Sequence, residues 1–291
     1  MIQPEIWMHV ITQNRAEQVE FQVDSCAPYL TGIRYCDGGS QDSTKKVIKN
    51  KTKEYKGICK IEYYYRKWDD NYSAQDNVLL KKAKPGCFVL IMDTDEVPTV
   101  PLLEALPMLV KESSVHGYDM VQIPCITSLD GHLQYQIDEF IEACNKEEIQ
   151  PFRKNWFFKY DKTVLSFGKV HREVRRLTDK DPFGKPQYKP NWNMIKVPFP
   201  YIHYKTTYDF VINDLLHAWL DSSGQGYTSV QEIEMRRVLP EFKTSLELRL
   251  WLENKNTRFP SHLMEFAKKY KDDKGAIRNW WVVLNRLEGY V

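Results

Sequence analysis

Residues 88–96 read FVLIMDTDE, a run of five apolar residues followed directly by acidic ones. A short and wholly apolar run is typical of a strand buried on both faces, as the strands of a parallel sheet are. Ligands of open parallel sheets bind at the carboxyl ends of the strands. Because residues i and i+2 of an extended chain point to the same side, we expect Asp93 and Asp95 to converge on one hard cation, Mg²⁺ or Mn²⁺.

The segments around this strand alternate short apolar runs with helical patterns, which is typical of βαβ units. The predicted strands are 6–12, 33–36, 59–65, 88–92 and 120–126, and the predicted helices between them are 16–29, 43–53 and 72–84. We therefore predict an α/β fold with a mainly parallel sheet flanked by helices. The proline-rich residues 182–200 are predicted as a loop or an irregular connection. Helical patterns dominate after it, so we predict one domain over residues 1–205 and a helical C-terminal region over 206–291.

The composition excludes several classes of protein. The 291 residues are 42% hydrophobic and 27% charged, unlike a disordered or collagen-like chain. The apolar runs are much shorter than the ~20 residues of a membrane span, so we expect none. We see no secretory signal and expect a cytoplasmic protein. The six cysteines lack CxxC spacing and are predicted to be reduced thiols.

A second motif, residues 35–44 (YCDGGSQDST), follows the second predicted strand. Asp37 would lie at the ligand-binding edge and could accept hydrogen bonds from a nucleoside. Gly38 and Gly39 permit a close approach of the backbone. The alternative is a plain turn in which Ser40 or Asp42 caps the next helix.

A third motif comprises residues 167–174 (FGKVHREV) and 201–204 (YIHY), which contain His171 and His203. A lone histidine is more often a structural group than a ligand. Residues 151–190 hold eleven basic and four acidic residues, a local charge of +7. This segment is interpreted either as a solvated face or as a surface for an anionic acceptor.

These motifs together resemble the family 2 glycosyltransferases, which have the GT-A (Rossmann-like) fold. The family runs from a strand into Asp-Gly-x-Ser-x-Asp-x-Thr, matched here by residues 37–44, and has an aspartate-rich motif after an apolar strand, matched by 93–95. One branch has a Trp-Asp-Asp segment, similar to residues 68–77 (WDDNYSAQDN). It also has a Gly-x-Val-His-Glu element and a His-Tyr pair, similar to residues 168–173 and 203–204. The resemblance covers the chain as far as the predicted domain boundary.

The resemblance implies an inverting hexosyltransferase that uses a nucleotide-diphosphate sugar, with a UDP-sugar favoured, and Mn²⁺ or Mg²⁺. The positions implied in binding the nucleotide sugar are Thr12, Arg15, Asp37, Gly39, Asn77 and Asp93. Those implied in binding the metal are Asp93, Asp95, His203 and His171. The metal and basic groups would neutralise the leaving diphosphate while a general base deprotonates the acceptor hydroxyl.

Glu173 is the predicted base, with Asp138 and Glu139 as alternatives. An ion pair with a neighbouring arginine is the structural alternative for Glu173. The sequence departs from the family pattern at two positions. Asp76 stands where the family has an arginine that contacts the nucleotide, and Arg172 separates the histidine of the Gly-x-Val-His-Glu element from its glutamate.

Three alternative functions remain at this point. The acceptor could be a phosphorylated glycan or a polyol phosphate, or it could be DNA with hydroxylated bases, because basic residues interleaved with aromatic ones suit nucleic acid. A non-catalytic module that binds nucleotide sugar or nucleic acid is a second reading. A nucleotidyltransferase is a third, but it normally needs a glycine-rich phosphate loop, and residues 12–15 contain no glycine.

Overall fold

A computed structural model of the chain describes residues 5–129, 131–168, 172–180, 186–189 and 192–205. All of them except Lys205 belong to a compact unit that ends at Tyr204. The predicted helical region 206–291 lies outside the described residues, and the two-domain division remains a prediction. In the part of the chain that is described, no helix has both the length and the apolar character that crossing a membrane requires.

A ten-stranded sheet forms the centre of the unit. Its strands are β1 (Ile6–Thr12), β2 (Gly32–Asp37), β3 (Lys60–Tyr65), β4 (Phe88–Asp93), β5 (Glu96–Pro98), β6 (Met120–Leu129), β7 (His132–Leu133), β8 (Arg153–Lys159), β12 (Met194–Lys196) and β13 (Tyr201–Lys205). The order is β3-β2-β1-β4-β8-β6-β13-β5, and β7 and β12 pair with β6. The first four strands of this order are mutually parallel, and β8 joins them antiparallel to β4.

A separate three-stranded sheet is formed by β9 (Val164–Phe167), β10 (Glu173–Lys180) and β11 (Pro186–Lys189). The described helices are α1 (Ala16–Cys26), followed by a 3₁₀ turn at Ala27–Tyr29, then α2 (Thr44–Glu54), α3 (Tyr72–Leu80), α4 (Val100–His116) and α5 (Ile137–Asn145). The predicted α/β fold is therefore confirmed. The prediction of a continuous loop over 182–200 is wrong, because β11 and β12 fall within it.

The core is divided by the sheet, because successive residues of a strand point to opposite faces. On β1, Met8 and Val10 belong to the large core cluster that includes residues of α1 and α4. Trp7 points to the other face, where it joins Val89 and Phe158 in a second cluster. Burial on both faces explains why β1 and β4 are almost wholly apolar in sequence.

Candidate functional site

The parallel register brings the ends of three strands to one edge of the sheet. Thr12 at the end of β1 is paired with Asp37 at the end of β2. Ile11 of β1 is paired with Asp93 at the end of β4. Three of the residues predicted to bind the nucleotide sugar, Thr12, Asp37 and Asp93, are therefore neighbours along this edge. Thr12 Oγ1 is buried and has no hydrogen-bond partner among the described residues.

Asp37 organises the loop that follows β2. Its Oδ1 accepts hydrogen bonds from the backbone N–H groups of Gly39 and Ser40, both at 2.9 Å, and from Ser40 Oγ at 2.8 Å. Its Oδ2 accepts from the Tyr63 hydroxyl at 3.0 Å. Burial, together with this bond, raises the pKa of Tyr63 to about 12. The carboxylate thus shapes the loop, and its predicted contact with the nucleoside remains a prediction.

The glycine after this carboxylate leaves room at the edge. Gly39 has a φ of +110°, a conformation that favours glycine, and a Cβ built there would lie 3.7 Å from the ring of Tyr65. The loop is joined to α1, since Asn14 donates its N–H to Ser40 Oγ at 2.8 Å. The backbone N–H of Arg15 donates to Thr44 Oγ1 at 2.8 Å.

Asp42 supports the alternative interpretation of the same motif as a helix start. Its Oδ1 accepts from the backbone N–H of Thr44, the first residue of α2, at 2.9 Å. Its Oδ2 accepts from the backbone N–H of Ala16, the first residue of α1, at 3.3 Å. One carboxylate therefore satisfies N–H groups at two helix starts, which would otherwise be unpaired.

The acidic motif after β4 is folded differently from its prediction. The strand ends at Asp93, and Thr94 and Asp95 form a turn before β5 begins at Glu96. The prediction that Asp93 and Asp95 share one face of an extended chain is therefore wrong. Glu96, to which the sequence analysis gave no role, is completely buried and forms an ion pair with Lys154. Its carboxylate also accepts the backbone N–H of Asp93 at 3.0 Å. This bond stabilises the turn between β4 and β5.

Asp95 and His203 meet because β13 runs beside β5. His203 is paired in register with Glu96, and the backbone N–H of Tyr204 donates to the Asp95 carbonyl at 2.8 Å. The His203 Nε2 atom lies 3.4 Å from Asp95 Oδ2, and its Nδ1 lies 3.7 Å from Glu96 Oε1. Burial lowers the pKa of His203, but hydrogen bonds to Asp95 and Cys125 and the nearby carboxylates outweigh it and raise that pKa to about 9.

Arg172 lies between two carboxylates that are distant in sequence. Its Nη1 is 3.1 Å from Asp76 Oδ1, and its Nη2 is 2.5 Å from Asp93 Oδ1. The ammonium group of Lys154 lies 3.8 Å from Asp93 Oδ2. Burial raises the pKa of Asp76 to about 6, although the charge of Arg172 opposes the shift. Asp93 is therefore flanked by a cation at each of its two oxygens.

Asn77 has both ends of its amide bonded to one residue of β9. Its Nδ2 donates to the Ser166 carbonyl at 2.8 Å, and its Oδ1 accepts the Ser166 N–H at 2.9 Å. These bonds attach α3 to the small sheet. The predicted nucleotide contact of Asn77 would compete with them and remains a prediction.

The remaining predicted residues make other contacts, are exposed, or lie outside the described ranges. Glu173 is 61% exposed and is bound by Arg175 at 2.5 Å, so the ion pair proposed as its structural alternative is present. Asp138 and Glu139 are exposed in the first turn of α5. His171 lies outside the described residues. Within the described ranges, no group of three or more carboxylate, imidazole or thiol side chains is arranged to hold a metal ion.

Five of the eleven basic residues of 151–190 are paired with other groups of the protein. Arg153 donates to the Val197 carbonyl, and Arg176 is bound to Asp119 at 2.8 Å. Together with the ion pairs of Lys154, Arg172 and Arg175 described above, these bonds account for five of the segment's basic residues. The side chains of Lys154 and Arg172 are 16% and 5% exposed and do not form a solvated basic face, whereas that of Arg175 is 41% exposed.

A family model described as "Glycosyl transferase family 2" matches residues 8–171. No curated protein matches the chain in sequence. Among solved structures, S. aureus TarS 1–349 in complex with UDP-GlcNAc is 14% identical at a TM-score of 0.44, with 80% of this chain and 70% of that one covered. Mannosyltransferase PcManGT from Pyrobaculum calidifontis, in complex with GDP-Man and Mn²⁺, is 12% identical at a TM-score of 0.48, with 97% and 84% covered. Glucosyl-3-phosphoglycerate synthase from Mycobacterium tuberculosis, in complex with Mn²⁺, UDP and glucosyl-3-phosphoglycerate, is 15% identical at a TM-score of 0.39, with 57% and 62% covered.

Proposed function

Because the chain belongs to the family 2 glycosyltransferases, we propose that it transfers a sugar from a nucleoside-diphosphate donor, a UDP-sugar, to an acceptor hydroxyl with inversion at the anomeric carbon. The observation that carries the proposal is that Asp37 and Asp93 end the two strands on either side of β1 at one edge of the sheet, while Asp95, two residues after β4, lies 3.4 Å from His203. This is the edge at which open parallel sheets bind nucleotides.

The donor nucleotide would lie across the loops after β1 and β2. Thr12 Oγ1 is a buried hydroxyl with no hydrogen-bond partner among the described residues, and Gly39 places no side chain between the backbone and the ring of Tyr65. We assign Arg15 and Asp37 to the nucleotide as well. Asp93 is partly exposed and has Oδ1 bound by Arg172, and it is assigned to the ribose through Oδ2, beside Lys154.

Asp95 and His203 fit a divalent metal by the chemistry of their donor atoms. A carboxylate oxygen and an imidazole nitrogen 3.4 Å apart are both acceptable ligands of Mn²⁺, and Glu96 lies 3.7 Å behind the second ring nitrogen. Two protein ligands leave other positions open, as is usual for cations that bind substrate phosphates. When bound, the cation would neutralise charge on the leaving diphosphate. His203 must release its proton before it can act as a ligand, since its pKa is raised to about 9.

Glu173 is proposed as the general base. Its carboxylate would take the proton of the acceptor hydroxyl as the acceptor oxygen bonds to the anomeric carbon and the bond to the diphosphate breaks. A single base and a single displacement invert the anomeric centre, and such a base contributes roughly 10²- to 10⁴-fold in rate. The Glu173 carboxylate is exposed and accessible to an acceptor. To take a proton, it must first break its ion pair with Arg175.

DNA as the acceptor was suggested by the basic residues of 151–190. Because Arg153, Lys154 and Arg172 are bonded to other parts of the protein, the segment offers less free positive charge than its sequence indicates. Affinity for DNA depends on cations that neutralise phosphates. We therefore propose a smaller hydroxyl compound, with an anionic group as one option, as the acceptor.

The test is calorimetric titration of UDP, with and without Mn²⁺, into the wild type, Asp95→Asn and the control Asp24→Asn. Asp24 is a carboxylate of α1 bonded to Lys51, remote from the sheet edge. We expect Mn²⁺-dependent binding that Asp95→Asn weakens at least about tenfold and Asp24→Asn leaves unchanged. Release of UDP from UDP-sugars then distinguishes an enzyme from a binding module. Failure of UDP, GDP and dTDP to bind with Mn²⁺ would refute the proposal.

A further inference from the structure

The buried position of Arg172 is not explained by its neighbours in sequence. Its side chain is only 5% exposed, and its two terminal nitrogens reach Asp76 of α3 and Asp93 of β4. The first of these residues stands where the family resemblance leads one to expect an arginine. The guanidinium that contacts this aspartate comes from a residue 96 positions later in the chain.

The anchor of this arginine is itself held on both sides. While one oxygen of Asp76 binds Arg172, the other accepts the Ser166 hydroxyl at 2.9 Å. Ser73, one turn earlier on α3, donates to the Gly168 carbonyl and lies 3.2 Å from the Ser166 hydroxyl. With the two bonds of the Asn77 amide described above, these contacts join α3 to β9 along a full helical turn. Asp76 thus presents a fixed carboxylate to the guanidinium.

Aromatic rings restrict the guanidinium from its remaining sides. Its central carbon lies 4.6 Å from the centre of the Trp156 ring and 5.4 Å from that of Tyr72. Lys154 lies 3.8 Å from the same tryptophan ring, so both cations that flank Asp93 are placed by one residue of β8. Cation–π contacts of this kind add to the orientation of the charges.

Stability is a weak reason for such a cluster. Removing two charges from water costs free energy that their attraction often fails to recover, so a buried ion pair is poor evidence of stabilisation. Its best documented benefit is a fixed geometry. The side chains of Asp76 and Arg172 are buried, whereas that of Asp93 is 27% exposed at the sheet edge. Asp93 is therefore the member of this cluster whose fixed geometry can matter to a ligand.

We propose that Arg172, anchored by Asp76, is a positioning residue that binds Oδ1 of Asp93, so that Oδ2, which lies 3.8 Å from the Lys154 ammonium, faces the ribose hydroxyls of the donor nucleotide. The inference rests on the proposed function, because Asp93 can serve a ribose only if a nucleotide binds. It goes beyond that function because it assigns the orientation of Asp93 to Arg172 and Asp76, two residues that depart from the family pattern. Arg172 is not required to touch the donor.

The test compares the affinities of UDP and 2′,3′-dideoxyuridine diphosphate, with Mn²⁺ present, in the wild type and in Arg172→Lys and Asp76→Asn. The ratio of the two affinities reports the contacts made to the ribose. The matched control is Arg176→Lys, since Arg176, four residues after Arg172, also binds two carboxylates and also lies over a tryptophan ring, at 4.4 Å. Its carboxylates belong to neither the sheet edge nor α3.

We expect the wild type to prefer UDP by about tenfold or more, the range of a hydrogen bond to a charged group. Arg172→Lys and Asp76→Asn should both reduce that preference toward the value measured for Asp93→Asn, whereas Arg176→Lys should keep it. In an Asp93→Asn background, Arg172→Lys should have no further effect on the ratio. General damage to the fold would weaken both ligands equally and leave the ratio unchanged.

The possible results separate this inference from the proposed function. If the wild type binds UDP but Arg172→Lys and Asp76→Asn keep the wild-type affinity ratio, the positioning role is overturned. The proposed function is then left intact. A wild type that binds none of the nucleoside diphosphates overturns both. If Arg172→Lys does not fold, the nearly isosteric Asp76→Asn decides the question alone.

Discussion

Replacing His9 with glutamine should remove an acid-sensitive contribution to the stability of the fold. His9 lies in the middle of β1, is 1% exposed and is paired in register with Arg34. The Arg34 guanidinium lies 3.2 Å from His9 Nε2, and since a guanidinium can only donate, Nε2 accepts and Nδ1 carries the proton. No described residue accepts a bond from Nδ1. Burial, reinforced by the charge of Arg34, lowers the pKa of His9 to about 3.

The sign and size of the effect follow from the two states of the protein. An unfolded histidine has a pKa of about 6.5, so below that pH the unfolded chain binds a proton that His9 in the folded chain refuses. The contribution is therefore complete above pH ~6.5 and is lost as the pH falls toward the folded pKa of about 3. Between pH 7 and pH 5 the free energy of unfolding should fall by about 2 kcal/mol, because each pH unit below about 6.5 costs about 1.36 kcal/mol.

The assay is urea unfolding at pH 7 and pH 5, followed by tryptophan fluorescence, in the wild type and in His9→Gln. Glutamine keeps an acceptor for the arginine but does not titrate. The raised pKa values of Asp76 and His203 change stability in the opposite sense over this range, so the informative quantity is the difference between the two proteins. His116→Gln, an exposed histidine of α4, is the control. We compare the unfolding free energies of the wild type and His9→Gln at each pH. A change of less than about 0.5 kcal/mol in their difference between pH 7 and pH 5 would refute the reasoning.

Two further substitutions test the packing of the same sheet. Glu96→Gln should lower the free energy of unfolding by about 3 kcal/mol, because it leaves the Lys154 ammonium without its buried partner. The exposed Glu112→Gln should cost less than about 0.5 kcal/mol, and equal urea midpoints for the two variants would contradict the prediction. Gly32→Ala should cost about 2 kcal/mol or more, because its Cβ would lie 2.3 Å from the Trp7 ring. An unchanged urea midpoint would contradict it.

The first half of the fold could be predicted closely from the sequence. The bounds of β1 match the prediction, and β4 differs by one residue, because continuous apolar runs with abrupt polar ends are local signals. The helix α4 was missed. Pro107 in its interior argues against a helix, whereas its true signals are the Thr99 side chain, which accepts the Leu102 N–H, and Gly117, with φ of +70°.

The candidate site could be predicted only where it depends on parallel register. Asp37 and Asp93 were expected at one edge because each ends a strand of the same sheet, and the pairing with β1 bears this out. The role of Glu96 was hidden, because the turn at Thr94 breaks the alternation on which the same-face argument relied. The meeting of Arg172 with α3 depends on how the small sheet packs, which no local pattern encodes.

The bond between Asp76 and Arg172 also limits how this enzyme can change over time. An arginine introduced at position 76 alone would meet the guanidinium of Arg172 at close range, and an aspartate at 172 alone would meet two carboxylates. Each single step passes through a protein with like charges buried together, whereas exchanging both restores an attractive pair. The two positions are therefore expected to be inherited together. A chimera with a relative should therefore have its junction outside residues 76–172, so that both positions come from the same parent.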